Sequence, residues 1–246
     1  RYEATFSFGG ATTTDDLDGE KILSSGPAAT RERVEALLPR FRGALEQVPP
    51  SHSAKRTDGV RAYERARAGE IVELAPRAVE VTRFEITSWD ESHPEEPLMG
   101  AVLDVSSGTY IRAIARDLGA ALGCGAHLVA LRRIGSGPFT VAQAHTMETV
   151  AEAALSGSLT HLLMPLDAGI EVIPAITLGE LGTDLLRDGA AIPDALLDEH
   201  LPVSVGEQVR LIAEGVLVAL GRRTEAGVQP ERVFITPNAA PPVKGA

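Results

Sequence analysis

Residues 103–139 read LDVSSGTYIRAIARDLGAALGCGAHLVALRRIGSGPF, and this stretch decides how the chain folds. Upstream of it and into it, Met99, Ala101, Leu103 and Val105 alternate with small or polar residues, as a half-buried strand does. Gly108 then lets the backbone turn, and a helix is expected from near Thr109. Ile111, Ile114, Ala115, Leu118 and Leu122 recur at helical spacing, and Gly123 stands where a C-terminal cap belongs.

Arg112 is the informative residue of the stretch. It falls in the first turn of the predicted helix, where the macrodipole disfavours a cation by about 0.3–1 kcal/mol. The plain reading is an exposed arginine whose stem covers apolar surface. The sharper reading is that strand, glycine turn and helix start aim the guanidinium at a carboxylate or a phosphate. Tyr110 either packs in the core or presents its ring to a ligand.

S-S-G-T-Y-I-R-A-I-A-R-D-L-G, followed by L-G-C-G-A-H-L-x-x-L-R-R, resembles the TruB family of tRNA pseudouridine synthases, which isomerise a uridine in the T-loop of tRNA. The resemblance extends to both sides. Arg1-Tyr2 leads into F-G-G-A-T-T-T-D-D-L-D-G, similar to the family's K-x-Y strand and T-D-T-x-D-x-x-G. Phe41 to Gly69 resembles its Gln-Val-Pro-Pro block. Several long motifs in one order are far more specific than a lone glycine pattern.

The resemblance implies an α+β fold: a mixed, largely antiparallel sheet flanked by helices, followed by a small β-rich PUA-like domain. It implies an isomerase acting on tRNA without a cofactor or metal. A base inside a folded loop must be flipped out before it can react, at a cost of about a few kcal/mol, and a stacking aromatic returns about 1–3 kcal/mol. On the matching positions, Tyr2 lies against the target base and takes part in proton removal from C5. Arg112 pairs with the nucleophilic Asp, Asp16 contributes to the site, Tyr110 lines the pocket, and the backbone of Leu131 reads the uracil edge.

One departure stands against these matches. The family carries its nucleophilic Asp in an upstream stretch like G-H-x-G-T-L-D-P-x-A-T-G, which this sequence lacks. Leu103-Asp104, Leu166-Asp167 and Leu197-Asp198 are superficially similar, and none continues as Pro-x-Ala-Thr-Gly. The chain is therefore read as a member without its N-terminal segment, inactive by itself. Asp16, in a different loop, is expected not to take the missing partner's place at Arg112, and the apolar surface around Tyr2, Phe6 and Phe8 is expected to be exposed. The alternative from another class is a non-catalytic module that binds the tRNA stem-loop.

Composition bounds these readings. The 246 residues, 44% hydrophobic, suffice for a sizeable core. A single cysteine, Cys124, rules out an internal disulfide framework and points to a reducing cytoplasm. No apolar run approaches the roughly 20 residues that span a bilayer. His93 and His145 have no partner at metal-ligand spacing, so no metal is assigned, and the protein is read as a monomer. The formal net charge of -11 argues against a general nucleic-acid binder. The cations are clustered, however: Lys55, Arg56, Arg61, Arg65 and Arg67 form one group, and Arg112, Arg116, Arg132 and Arg133 another.

Along the chain, Tyr2, Ala4, Phe6 and Phe8 alternate as one face of a strand. Thr12 to Gly19 is a polar loop without the ligand spacing of a calcium site. Thr30 is the expected N-cap of a helix bearing Val34, Leu37, Leu38 and Phe41. A short helix is expected over Val60 to Ala68, a strand over Val79 to Ile86, and a helix over Met147 to Leu155. Residues 1–170 form the expected catalytic domain, and 171–236 the PUA-like domain. That domain is expected to hold a helix over Leu178 to Arg187 and strands at Val203 to Val205, Gln208 to Ile212, Val216 to Leu220 and Arg232 to Ile235. Residues 237–246 form an expected disordered tail.

Overall fold

The computed structural model describes residues 1–23, 26–50, 56–57, 60–61, 74–197 and 203–235. The chain divides into two compact units, Arg1–Ala142 and Gln143–Ala246. The sequence boundary expected at residue 170 lies beyond this division.

The first unit begins with β1 (Tyr2–Phe8), whose Ala4, Phe6 and Phe8 are buried on one face as the alternation predicts. The hairpin of β2 (Gly10–Thr12) and β3 (Lys21–Leu23) follows. Helix α1 (Arg31–Leu37) is capped by the Thr30 side chain, which accepts from the Arg33 N–H, and Pro39 continues it as a 3-10 turn over Leu38–Phe41. Then come β4 (Gly43–Gln47), β5 (Arg56–Thr57), β6 (Val60–Arg61), the long β7 (Arg77–Asp90) and β8 (Leu98–Val105). Helix α2 (Ile111–Leu122), β9 (Ala126–Arg133), β10 (Gly135–Ser136) and β11 (Phe139–Thr140) complete the unit.

The main sheet runs β4-β7-β8-β1-β9, and every pairing in it is antiparallel. α2 lays Ile111, Ile114, Ala115, Leu118 and Leu122 into one core with Phe6, Phe8, Phe84, Met99 and Leu103. The rings of Phe6 and Phe84 stack at 5.7 Å, so β1 is locked to β7 through side chains as well as through the sheet. Gly123 ends the helix at φ 77°, and Arg33 of α1 donates to the exposed Leu122 carbonyl at 2.8 Å. Gly119 is a matter of space: a Cβ there would lie 2.1 Å from the Ala126 backbone nitrogen. This absent side chain brings α2 onto the start of β9.

Three expectations are corrected here. Phe6 and Phe8 are 0% exposed, because the β7, β8 and α2 side chains already cover that face. The helix expected from Val60 instead starts as β6, paired with β5; the remainder of that prediction lies outside the described residues. The strand expected over Val79 to Ile86 is longer, Arg77–Asp90, since Trp89 packs against Phe8 at 5.8 Å and stays in β7.

In the second unit, α3 (Met147–Leu155) is capped by Thr146, which accepts from the Thr149 N–H at 3.2 Å. β12 (Ala175–Thr177), α4 (Glu180–Arg187), β13 (Ile192–Pro193), β14 (Gln208–Ala213), β15 (Val216–Thr224) and β16 (Gly227–Val233) follow. Their sheet runs β12-β14-β15-β16-β13, with one parallel pairing, β12 to β14. Ile176, Leu186, Ile192, Val209, Leu211 and Val228 fill its core. Val203 to Val205 is not a strand: the backbone turns at Val205-Gly206, where Gly206 has φ 93°. The predicted tail lies outside the described residues. Both units together make an α+β chain, and among the described residues no helix is long and apolar enough to cross a membrane.

Candidate active site

The site is assembled where the Thr12–Gly19 loop meets the outer edge of β9 and the first turn of α2. β9 is the last strand of the sheet, so its outer backbone groups need partners. The loop supplies one: the Leu128 N–H donates to the Asp15 carbonyl at 3.0 Å. Just beyond this bond the β1–β9 register slips, Thr5 facing Ala130 and Phe6 facing Leu128, which leaves Val129 as the extra residue of a bulge. Bulges bend a strand and re-aim its side chains, and they recur beside active sites.

Asp16 is fully engaged by this geometry. Its Oδ1 accepts from the Thr14 hydroxyl at 2.5 Å and from the Asp18 N–H at 3.1 Å, the short-range turn that Asp makes with its own backbone. Its Oδ2 accepts from Arg112 Nη1 at 2.6 Å. Arg112 Nη1 also lies 3.4 Å from the Thr14 carbonyl. Burial pushes the Asp16 carboxyl up, but the bonds from Thr14, Asp18 and Arg112 outweigh it and hold the group below the usual aspartate range. The carboxylate supplies the negative charge that a cation in the first turn of a helix lacks. Asp16, although in a different loop, thus contacts Arg112 directly, because the loop folds along β9 and brings it there.

A pocket of about 250 Å³ opens beside this pair, lined by Asp16, Leu17, Asp18, Arg112 and the β9 segment from Leu128 to Leu131. Three of the sequence-predicted residues, Asp16, Arg112 and Leu131, thus share one cavity. Tyr2 lies on another, of about 260 Å³, together with Ser106, Ser107, Gly108, Thr109 and Arg133. Its hydroxyl accepts from Arg133 Nε at 3.1 Å, and the guanidinium lies 5.5 Å from the ring centroid. Tyr110 lines neither cavity. It is the residue before α2, and its backbone is fixed by Gln47, which accepts from the Tyr110 N–H at 2.8 Å and donates to the Tyr110 carbonyl at 3.1 Å.

Gln47 is a buried polar residue, 3% exposed, that no motif role in the sequence assigns to the site. The available signal was its place in the Gln-Val-Pro-Pro block, where a polar residue precedes two prolines. Arg116 is legible in the sequence only as one of a basic cluster, and Asp15 only as a surface charge beside Asp16. Cys124, 1% exposed, is a core side chain as expected.

Comparison with known proteins gives this geometry a lineage. Residues 1–111 match the family model "TruB family pseudouridylate synthase (N terminal domain)", and 112–171 match "tRNA pseudouridylate synthase B C-terminal domain". The tRNA pseudouridine synthase B of Pseudomonas paraeruginosa (strain DSM 24068 / PA7) is 43% identical over 182 residues, 73% of this chain and 58% of that protein. The protein of the same name from Thiobacillus denitrificans (strain ATCC 25259 / T1) is 39% identical over 241 residues, 97% of this chain and 76% of that protein. The chain thus spans less than two thirds of the Pseudomonas relative.

Among solved structures, a chain of an H/ACA RNP bound to a substrate RNA containing 2'-deoxyuridine superimposes with TM-score 0.64 at 19% identity, covering 96% of this chain and 66% of that one. A chain of a Cbf5-Nop10-Gar1 complex gives 0.63 at 20% identity, covering 96% and 67%. These two show the shared fold. Two family models in consecutive order, and a relative aligned across nearly the whole sequence, lead to one conclusion: the chain belongs to the TruB family of pseudouridylate synthases.

Proposed function

We propose that this chain, within its complete protein, isomerises a T-loop uridine of tRNA to pseudouridine. The observation that carries the reading is the first turn of α2: Arg112 meets a carboxylate at 2.6 Å in the lining of a pocket that the β9 segment ending at Leu131 also lines. Isomerisation detaches the base and reattaches it through C5, so no electrons enter or leave. The nucleophile is an Asp supplied by the stretch preceding Arg1, and Arg112 holds that carboxylate ionised and oriented, as a close opposite charge does. Asp16 keeps Arg112 in place from the other side.

The flipped base enters between β9 and the Thr12–Gly19 loop. The backbone of Leu131 meets its alternating donor and acceptor edge, and Tyr2, from the neighbouring cavity of about 260 Å³, is the aromatic that stacks on it. Tyr110, on neither cavity, acts only through its backbone, held by Gln47 at the start of α2. The Tyr2 oxygen, to which Arg133 donates, relays the C5 proton: it accepts that proton while its own O–H proton passes to solvent water. Residues 171–236 form a PUA-like module. Tritium release from C5-labelled tRNA by the complete protein, with chelator present, tests the proposal. Release should occur, and it should vanish when the T-loop uridine is replaced. An absolute metal requirement, or tRNA binding without release, would favour a different reading, the latter a non-catalytic tRNA-binding module.

A further inference from the structure

Asp16 reaches Arg112 through an uncommon backbone state. Asp15, the residue before it, has φ 62°, a left-handed conformation that Asp tolerates better than most side chains. With that twist, two successive carboxylates turn toward the same helix. Asp16 meets Arg112, and Asp15 meets Arg116, one helical turn later, at 3.6 Å between Oδ2 and Nη1. The Asp15 side chain is only 13% exposed. Arg116 is itself held from two further sides, donating to the Val48 carbonyl at 2.9 Å and to Asp117 at 2.8 Å. It therefore ties the loop, the segment after β4 and α2 to one point.

Burial raises the Asp15 carboxyl above the ordinary aspartate range, and Arg116, then Arg112, offset this only in part. Buried ion pairs in general repay little of their desolvation, so the weight of the pair lies in its geometry, which fixes the loop against α2.

We propose that Asp15 and Arg116 are a positioning pair for the active site: they clamp the Thr12–Gly19 loop onto α2 so that Asp16 stays on Arg112. The kinetic part of this inference rests on the function proposed above. Neither residue touches the base. Both act through the Asp16–Arg112 contact, and through it on the orientation of the attacking carboxylate.

The test uses the complete protein and the variants Asp15→Asn, Arg116→Gln, Arg116→Lys and the double Asp15→Asn/Arg116→Gln. Asn tolerates the left-handed backbone, so Asp15→Asn removes charge with the least disturbance of the turn. Single-turnover conversion should slow about tenfold in Asp15→Asn and in Arg116→Gln, with tRNA affinity within about threefold of wild type, and the double should be no slower than the slower single. Arg116→Lys should recover part of the rate. Unchanged single-variant rates, or losses that multiply in the double, would overturn the pair.

A second arm does not need turnover. In urea unfolding, Asp16→Asn should shift the equilibrium at least about threefold less in the Asp15→Asn background than alone. Additive shifts would overturn the clamp even in an active enzyme. A wild-type protein that shows this coupling yet releases no tritium would instead retire the proposed activity and leave the clamp standing.

Discussion

A guanidinium at the second residue of α2 faces the positive end of the helix dipole, and Asp16 makes that arrangement tolerable. Two predictions belong to these residues. In the complete protein, Arg112→Ala should lower turnover by at least about 10²–10³-fold, the scale of losing one preorganised electrostatic partner, with tRNA affinity within about threefold. Binding and single-turnover rates measured separately check it, and a matching loss of affinity would reassign Arg112 to the RNA backbone. Asp16→Asn should cost about 1–2 kcal/mol at neutral pH, since the contact is charge-assisted but partly exposed. Because the folded carboxyl titrates below its unfolded value of about 3.9, its contribution is present above that pH and is lost as pH falls through the folded value. Urea denaturation of both proteins should therefore show a constant gap above about pH 5 that narrows below about pH 4.

At the scale of elements, the register of α2 against β9 decides whether the site exists. Gly119 sits mid-helix, where alanine is normally the better residue by about 1 kcal/mol. Here the preference should reverse, because a Cβ at Gly119 would meet the Ala126 nitrogen at 2.1 Å and backbone cannot give way cheaply. Gly119→Ala is expected to destabilise by about 2–3 kcal/mol, with far-ultraviolet circular dichroism retained and the melting temperature lowered. A stabilised variant would mean that α2 stands further from β9 than the structure has it. Gln47 works at the same scale: its side-chain amide brackets the Tyr110 backbone, so the end of β4 sets where α2 begins.

Across the whole molecule, the net charge of -11 coexists with local cations, and in both units many of those cations face carboxylates. In the second unit, Arg187, Arg210, Arg222 and Arg223 each face a carboxylate: Asp184, Asp167, Glu231 and Asp194. In the first, Arg132 is exposed near the end of β9, close in sequence to the candidate pocket. Arg132→Gln should weaken tRNA binding and reduce the slope of log affinity against log salt by about 1, whereas Arg222→Gln should leave the slope unchanged. Filter binding at several salt concentrations measures both. An equal slope change in the two variants would put the second unit on the phosphates.

Much of this was legible from order along the chain. The alternation of Tyr2 to Phe8, the helical spacing of Ile111 to Leu122 and the cap at Gly123 are local, so periodicity and one glycine sufficed to place β1 and α2. The motif series identified the lineage because many residues in a fixed order are hard to match by chance. What proximity in space decided could not be read that way. Asp16 and Arg112 stand 96 residues apart, and their contact depends on a loop following the edge of β9 and on a left-handed turn at Asp15 that no spacing rule requires. Val60 pairs with Thr57 as a strand, a contact that the helical spacing read around it did not foretell. Phe6 and Phe8 are covered because β7, β8 and α2 converge on them from far along the sequence. Sequence determined which segments carry an apolar face; only tertiary packing determined what that face meets and which charges are brought within 3 Å of each other.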